Sequence, residues 1–231
     1  MRVLFFDIDG TLLMTNGAGK TAIEATLNRE FAVSQPKADI DYGGRTDLSL
    51  VKELFELNGL SQPSQSAIQR FFGSYVSILK SDLDRCNSQI LPGVESLLDR
   101  LLEDDRYELG IITGNILAGA QTKLSHHNLD KYFRFGGYGD RSLRRQDIAI
   151  EGLEDAKKAL GDQNIEGHRC LVIGDTPHDI VCSRSIKAHS FGVCTGYASK
   201  ESILAENPSR IFDDLSDMDG VLKNLDEVFA S

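Results

Sequence analysis

Met1-Arg-Val-Leu-Phe-Phe-Asp7-Ile-Asp9-Gly-Thr11-Leu-Leu13 is the stretch that decides how this chain folds. The apolar run from Val3 to Phe6 is unbroken, the pattern of a strand buried on both faces, as in a parallel sheet. Period-two alternation then turns Asp7 and Asp9 to the same side of the chain as the strand ends. Two adjacent carboxylates repel each other unless a cation or a shared proton compensates. The carboxyl ends of parallel strands are also where open α/β sheets bind ligands. The pair therefore marks a candidate site.

Working outward, three more apolar segments stop at polar or glycine-containing turns. Tyr107 to Ile112 runs into Thr113-Gly114-Asn115, Cys170 to Ile173 into Gly174-Asp175-Thr176-Pro177, and Ser190 to Cys194 into Thr195-Gly196. Helical spacing lies between them: Val94, Leu97, Leu98, Leu101 and Leu102 share one face behind Pro92, and Ile148–Leu160 and Ile180–Ile186 have the same period. Strands alternating with helices imply a doubly wound parallel sheet. Residues 16–88 break the rhythm with three helix-like runs, Gly19–Phe31, Asp47–Leu57 and Ser64–Leu83, and no convincing buried strand. The expected organisation is a core of residues 1–15 and 89–231 with a smaller all-helical cap, 16–88, inserted behind the first strand. Leu215 to Phe229 reads as an amphipathic helix packed on the sheet.

Lys and Arg number 25 against 35 Asp and Glu, a net charge of −10. No basic tract offsets this, so nucleic acid and anionic membrane surfaces are poor partners. No apolar stretch approaches the ~18 residues of a membrane span, and the chain opens directly on a core strand rather than a signal peptide. Cys86, Cys170, Cys182 and Cys194 form no CxxC pair and read as free thiols, which predicts a reducing, cytoplasmic setting. Gly17-Ala-Gly19-Lys20-Thr21 is no P-loop, because Met14 stands where that motif needs glycine. It reads instead as a helix start or hinge.

The turns at the strand ends supply distinct chemical tools. Asp7 is placed to attack phosphorus and form an aspartyl-phosphate. Asp9 could protonate the leaving oxygen and later deprotonate water. Thr113, with the backbone N–H groups of Gly114 and Asn115, could hold phosphoryl oxygens. Asp175 adds a carboxylate to a hard oxygen cluster that suits Mg²⁺.

These residues resemble the haloacid dehalogenase superfamily of phosphotransferases. Its first motif, DxDGT, is similar to Asp7-Ile-Asp9-Gly10-Thr11; its second, a Thr or Ser closing an apolar strand, to Thr113; its fourth, GDxxxD, to Gly174-Asp175-Thr-Pro-His-Asp179. The resemblance implies a helical cap of the family's first class, Mg²⁺ held by Asp7, the Asp9 backbone carbonyl and Asp175, and Asp179 behind them. The family's third motif normally supplies a lysine. Here the window reads Asp140-Arg-Ser-Leu-Arg144-Arg145-Gln-Asp147, so Arg145, with Arg144 second, is the expected cation. Asp9 speaks against dehalogenation, since halide departure needs no proton. Lys20, the nearest candidate for a phosphonatase-type Schiff base, reads as a surface lysine.

In the insert, Gly43-Gly44-Arg45-Thr46-Asp47 is similar to cap loops of phosphoglycolate-phosphatase-like and phosphoglucomutase-like members. Thr46 or Asp47 would cap the next helix, and Arg45 could grip the far end of the substrate. His178 is expected neutral at a helix start, and His126 and His127 at the surface. The expected function is Mg²⁺-dependent hydrolysis of small, phosphoglycolate-like phosphomonoesters. A phosphomutase of the β-phosphoglucomutase type and a catalytically silent binding protein on the same fold stay open, as do monomer and homodimer.

Overall fold

The computed structural model describes residues 1–230. In chain order its first half contains β1 (Arg2–Phe6), β2 (Leu13–Met14), α1 (Ala18–Phe31), α2 (Asp47–Leu57), α3 (Gln65–Arg85), β3 (Gln89–Ile90), α4 (Val94–Leu102), β4 (Tyr107–Ile112) and α5 (Leu117–His126). The second half contains β5 (Phe135–Gly137), α6 (Arg145–Leu160), β6 (Cys170–Gly174), α7 (Pro177–Ser185), β7 (His189–Val193), α8 (Lys200–Ala205), β8 (Arg210–Phe212) and α9 (Met218–Val228).

Six strands form one sheet in the order β5-β4-β1-β6-β7-β8, every neighbouring pair parallel. β1 sits between β4 and β6, with Leu4 opposite both Leu109 and Leu171. Alternation along β1 feeds two cores. Val3 and Phe5 pack with Ile112, Phe135, Ile148, Cys170 and Val172 under α6 and α7. Leu4 and Phe6 pack with Leu97, Leu101, Leu124 and Leu225 under α4, α5 and α9. All four residues of Val3–Phe6 are fully buried, each stabilising the fold by about 1.5–3 kcal/mol through apolar area removed from water. Helices on both faces make the sheet doubly wound, as its sequence pattern predicts. The chain order reverses beside β1, where such sheets open a ligand crevice.

The helices α1, α2 and α3 build a separate apolar cluster, in which Leu27, Leu54, Phe55, Phe71 and Leu79 meet Ile116 from the loop before α5. The Phe31 and Phe55 rings stand edge to face at 4.7 Å. α2 starts where expected: the Thr46 hydroxyl accepts the Ser49 N–H at 3.1 Å. Gly17, in the left-handed region, precedes α1, as a hinge or helix start requires.

Four features were not anticipated. β5 and β8 flank the sheet, each only three residues long. The one-and-a-half-turn helix α8 follows β7. The two connections to α1–α3 are zipped by the short antiparallel pair β2–β3, and Asn16 Nδ2 donates to the Asn87 carbonyl at 2.7 Å. His126 and His127 are half-buried rather than on the surface: His127 Nε2 lies 2.7 Å from Ser88 Oγ, and His126 pairs with Asp84 of α3. They stitch the end of α5 to the end of α3. Cys170 and Cys182 are buried and all four cysteines are free. Among the described residues no helix is long and apolar enough to cross a membrane.

Candidate active site

The carboxyl ends of β1, β4 and β6 open into a cavity of about 670 Å³, roofed by α1, α2, α3 and the loop before α2. Asp7 follows β1 directly, its backbone N–H still bonded to the Ile173 carbonyl at 3.0 Å, so the ladder itself aims this carboxylate. Asp175 follows β6, and Asp179 lies in the first turn of α7. Each of the three brings a carboxylate oxygen within 4.8 Å of the others, and all three are buried. Arg145, the first residue of α6, answers them: its guanidinium lies 3.0 Å from Asp7 Oδ1 and bonds Asp179 Oδ1. Asp179 Oδ2 accepts from the Thr176 N–H and hydroxyl at 3.0 and 2.7 Å, which fixes its orientation. Arg144, the second choice, is exposed and paired with Asp147.

Electrostatics follow from this crowding. Burial pushes Asp7 up to about 6 despite Arg145, with Asp179 and Asp9 adding to the rise. Asp175 is raised well above the carboxylate range by burial and by the charges of Asp179 and Asp7. Arg145 is one positive charge facing three carboxylates, and its buried Nε–H has no partner. A hard divalent cation fits such a donor set, because it offsets the repulsion that these shifts record. The backbone closes tightly here: Gly10, at φ +83°, lies where a Cβ would stand 2.3 Å from Asp175 Oδ2. Thr11 Oγ1 donates to the other Asp175 oxygen at 3.2 Å.

The Asp9 side differs. Its carboxylate is half-exposed to the cavity, and Oδ2 accepts from Asn115 Nδ2 at 2.8 Å and Lys123 Nζ at 2.6 Å. Enclosure would raise Asp9, but Lys123, Asn115 and Thr15 outweigh it and hold the group below its ordinary value. Thr113, fully buried, accepts from the Asn115 backbone and side chain. Its hydroxyl proton stays available to an oxygen in the cavity. Sequence reading missed Lys123. Its signal was a lysine on the apolar stripe of α5, flanked by the buried Ala120 and Leu124, where an unpaired ammonium is expensive.

The roof meets the floor at one loop. Asp47 N–H donates to the Gly114 carbonyl at 2.7 Å, and Asp47 Oδ2 accepts the Ile116 N–H at 2.9 Å. A Cβ on Gly114 would lie 1.8 Å from the Arg45 carbonyl oxygen, so only glycine permits the contact. Arg45 lines the cavity, yet its guanidinium pairs with Glu53 at 2.5 Å and with the Asp41 carbonyl. Lys20 also lines it, largely exposed and facing Asp39 at 3.3 Å. His178 reaches the cavity beneath Gly44.

Comparisons with known proteins agree with this geometry. A match to the family described as haloacid dehalogenase-like hydrolase spans residues 4–193. A phosphoglycolate phosphatase of Vibrio parahaemolyticus is 23% identical over 94% of both chains, and pyrophosphatase PpaX of Listeria innocua 27% over 96% of both. The chain spans 47% of a matching imidazoleglycerol-phosphate dehydratase of Phytophthora nicotianae, at 26% identity. In fold it is similar to a β-phosphoglucomutase of Clostridium difficile, with a TM-score of 0.74 and 19% identity over the whole of both chains. The strand-end carboxylates, the doubly wound sheet and a match over most of the sequence place this chain in the haloacid dehalogenase-like hydrolase family, among relatives named as phosphatases.

Proposed function

We propose that this chain is a Mg²⁺-dependent hydrolase of small phosphomonoesters, phosphoglycolate-like in size, acting through an aspartyl-phosphate on Asp7. Residues 1–15 and 89–231 serve as the catalytic core, and 16–88 as a cap that excludes bulk water during transfer. The observation that carries the reading is the buried group Asp7–Arg145–Asp179 with Asp175, opening on the same cavity as Asp9 and Thr113.

Asp7 Oδ attacks phosphorus as the bond to the leaving oxygen breaks, and Asp9 passes that oxygen a proton. Lys123 keeps Asp9 ionised in the free enzyme, so this proton arrives with the substrate, whose phosphoryl group carries one below its second pKa of about 6. Asp9 then takes a proton from the water that attacks the acyl phosphate, and phosphate leaves with Asp7 restored. Arg145 holds Asp7 and Asp179 in place and brings positive charge to the cavity where the phosphoryl group would sit. Thr113 Oγ and the N–H groups of Gly114 and Asn115 grip the others. Mg²⁺ would be held by Asp7, Asp175 and the Asp9 carbonyl, with Asp179 behind, and would supply charge neutralisation for the transferred group. Free thiols at all four cysteines accord with a reducing, cytoplasmic setting.

The test is phosphate release from a panel of small phosphomonoesters, with and without Mg²⁺, for wild type and Asp7→Asn. Metal-dependent release lost in the variant supports the reading. Conversion of a phosphosugar to its isomer without free phosphate would replace it with a mutase, and Mg²⁺ binding without any turnover with a silent binding protein.

A further inference from the structure

Among the described residues only two cationic side chains are buried, Lys123 and Arg145, and both lie in this site. Arg145 serves the Asp7 side. Lys123 has a different clientele. It rises from the middle of α5, 4% exposed, and its ammonium touches Asp9 Oδ2 at 2.6 Å and Asn115 Oδ1 at 2.7 Å. Asn115 in turn donates to the same Asp9 oxygen at 2.8 Å and to Thr113 Oγ1 at 2.8 Å. Lys123 and Asn115 close a ring on a single carboxylate oxygen, and Asn115 ties it to Thr113. Asp9 Oδ1 accepts only from Thr15, at 3.3 Å, and Asp9 lines the cavity.

We propose that Lys123 is the positioning residue of Asp9: with Asn115 it clamps Oδ2, so that Oδ1 is presented to the leaving oxygen of the substrate. An ammonium is costly to bury, and this one directs its hydrogen bonds to two groups that line the cavity, Asp9 and Asn115. The ring joins the residue that grips phosphoryl oxygens, Thr113, to the residue that handles the proton. Proton transfer fails when the donor is misplaced by about 1 Å, and a half-exposed aspartate on a turn has two side-chain torsions to be fixed. α5 fixes them as a helix that packs against the sheet on one side and α3 on the other.

The inference rests on the phosphatase reading above. Its test compares an alkyl phosphomonoester, whose alkoxide must be protonated as it leaves, with p-nitrophenyl phosphate, whose phenolate leaves unaided. The quantity compared is the rate of leaving-group release in a single turnover, which follows the first step alone. Lys123→Met should lower it on the alkyl ester by at least about 30-fold and on p-nitrophenyl phosphate by less than about threefold, within the range that general acid catalysis supplies. Asp9→Asn should show the same split in this first step, while its steady-state turnover falls on both substrates because water activation is common to them; adding Lys123→Met to it should cost the first step nothing further. Equal first-step losses on both substrates, or first-step losses that stack in the double variant, would overturn the positioning role. Should Lys123→Met fail to fold, Lys123→Arg, which keeps the charge and shifts it, should show a smaller split of the same sense; no split there overturns the proposal. Wild-type release that depends on Asp7, together with unsplit Lys123 variants, would sink this inference alone. Absence of wild-type release would sink the phosphatase reading.

Discussion

The floor and the roof of the cavity treat charge in opposite ways. On the floor, Asp7, Asp175, Asp179 and Arg145 are buried, Arg145 pairing with Asp7 and Asp179 and Asp175 held by Thr11, at strand and helix ends that the sheet fixes. In the roof, Arg45 and Lys20 are paired with Glu53 and Asp39, and the wall between them is Ile23, Ile40, Leu50 and Tyr75. Charges locked by burial cannot adapt to different ligands, whereas half-exposed pairs can exchange partners at little cost. On the proposed reading, the floor does the chemistry and the roof chooses the substrate. That division is broken if loss of Asp7, Asp175, Asp179 or Arg145 is selective among substrates, or if loss of a roof residue is not.

The largest effect is expected at Asp7. Asp7→Asn keeps the side-chain size and removes the attacking oxygen, so phosphate release should fall by at least about 10³-fold on every substrate. A variant that remains active on one ester would show that the floor is not the common chemical element. Arg145→Ala should follow, with at least about a tenfold loss in kcat that is uniform across substrates. Wild-type turnover in that variant would return Arg145 to a structural part in holding Asp179.

What could be read in the sequence is what local periodicity carries, on the floor and in the roof alike. β1 was legible because Val3–Phe6 is buried on both faces and ends on two aspartates, a pattern that local periodicity carries in full. Asp175, Thr113 and Arg145 were legible because each sits at the end or beginning of an element that the pattern delimits. β5 was not, since Phe135-Gly136-Gly137 has the composition of a turn and becomes a strand only by pairing with β4. β2 and β3 were not, because Leu13 meets Ile90 across the whole insert, and no local signal reports so distant a pairing. Lys123 was passed over for a related reason. A lysine inside a helix is read as solvated unless its neighbours on the helix face are weighed, and its partner Asp9 lies far away in sequence.

The roof supplies the next test. Arg45→Ala should raise KM for carboxylate-bearing phosphoesters about tenfold, the scale of one charge-assisted hydrogen bond, and leave p-nitrophenyl phosphate nearly unchanged. For that to occur, Arg45 must leave Glu53 when a substrate arrives. Equal KM values for wild type and variant on both substrates would show that the Glu53 pair persists and that the roof reads its ligand through the apolar wall.

The smallest effect concerns the seam between roof and floor. Burial raises Asp47 from 3.8 to about 6, Lys123 and the Ile116 N–H only partly opposing it, with Asp9 and Asp140 adding to the rise. The folded chain therefore binds this proton more tightly than the unfolded chain. Stability from this group falls as pH climbs from about 4 to about 6 and stays lower above that, by up to about 3 kcal/mol. Asp47→Asn keeps an oxygen to accept the Ile116 N–H and removes the charge, so it should lack the fall. Melting temperatures of wild type and variant should converge near pH 4, and the variant should be the more stable at pH 7.5, by up to about 10 °C for a chain of this size. The reverse order at pH 7.5 would mean that the ionised carboxylate is what the Ile116 N–H and Lys123 require. The seam would then be an electrostatic tie between cap and core, and the roof would carry a fixed charge after all.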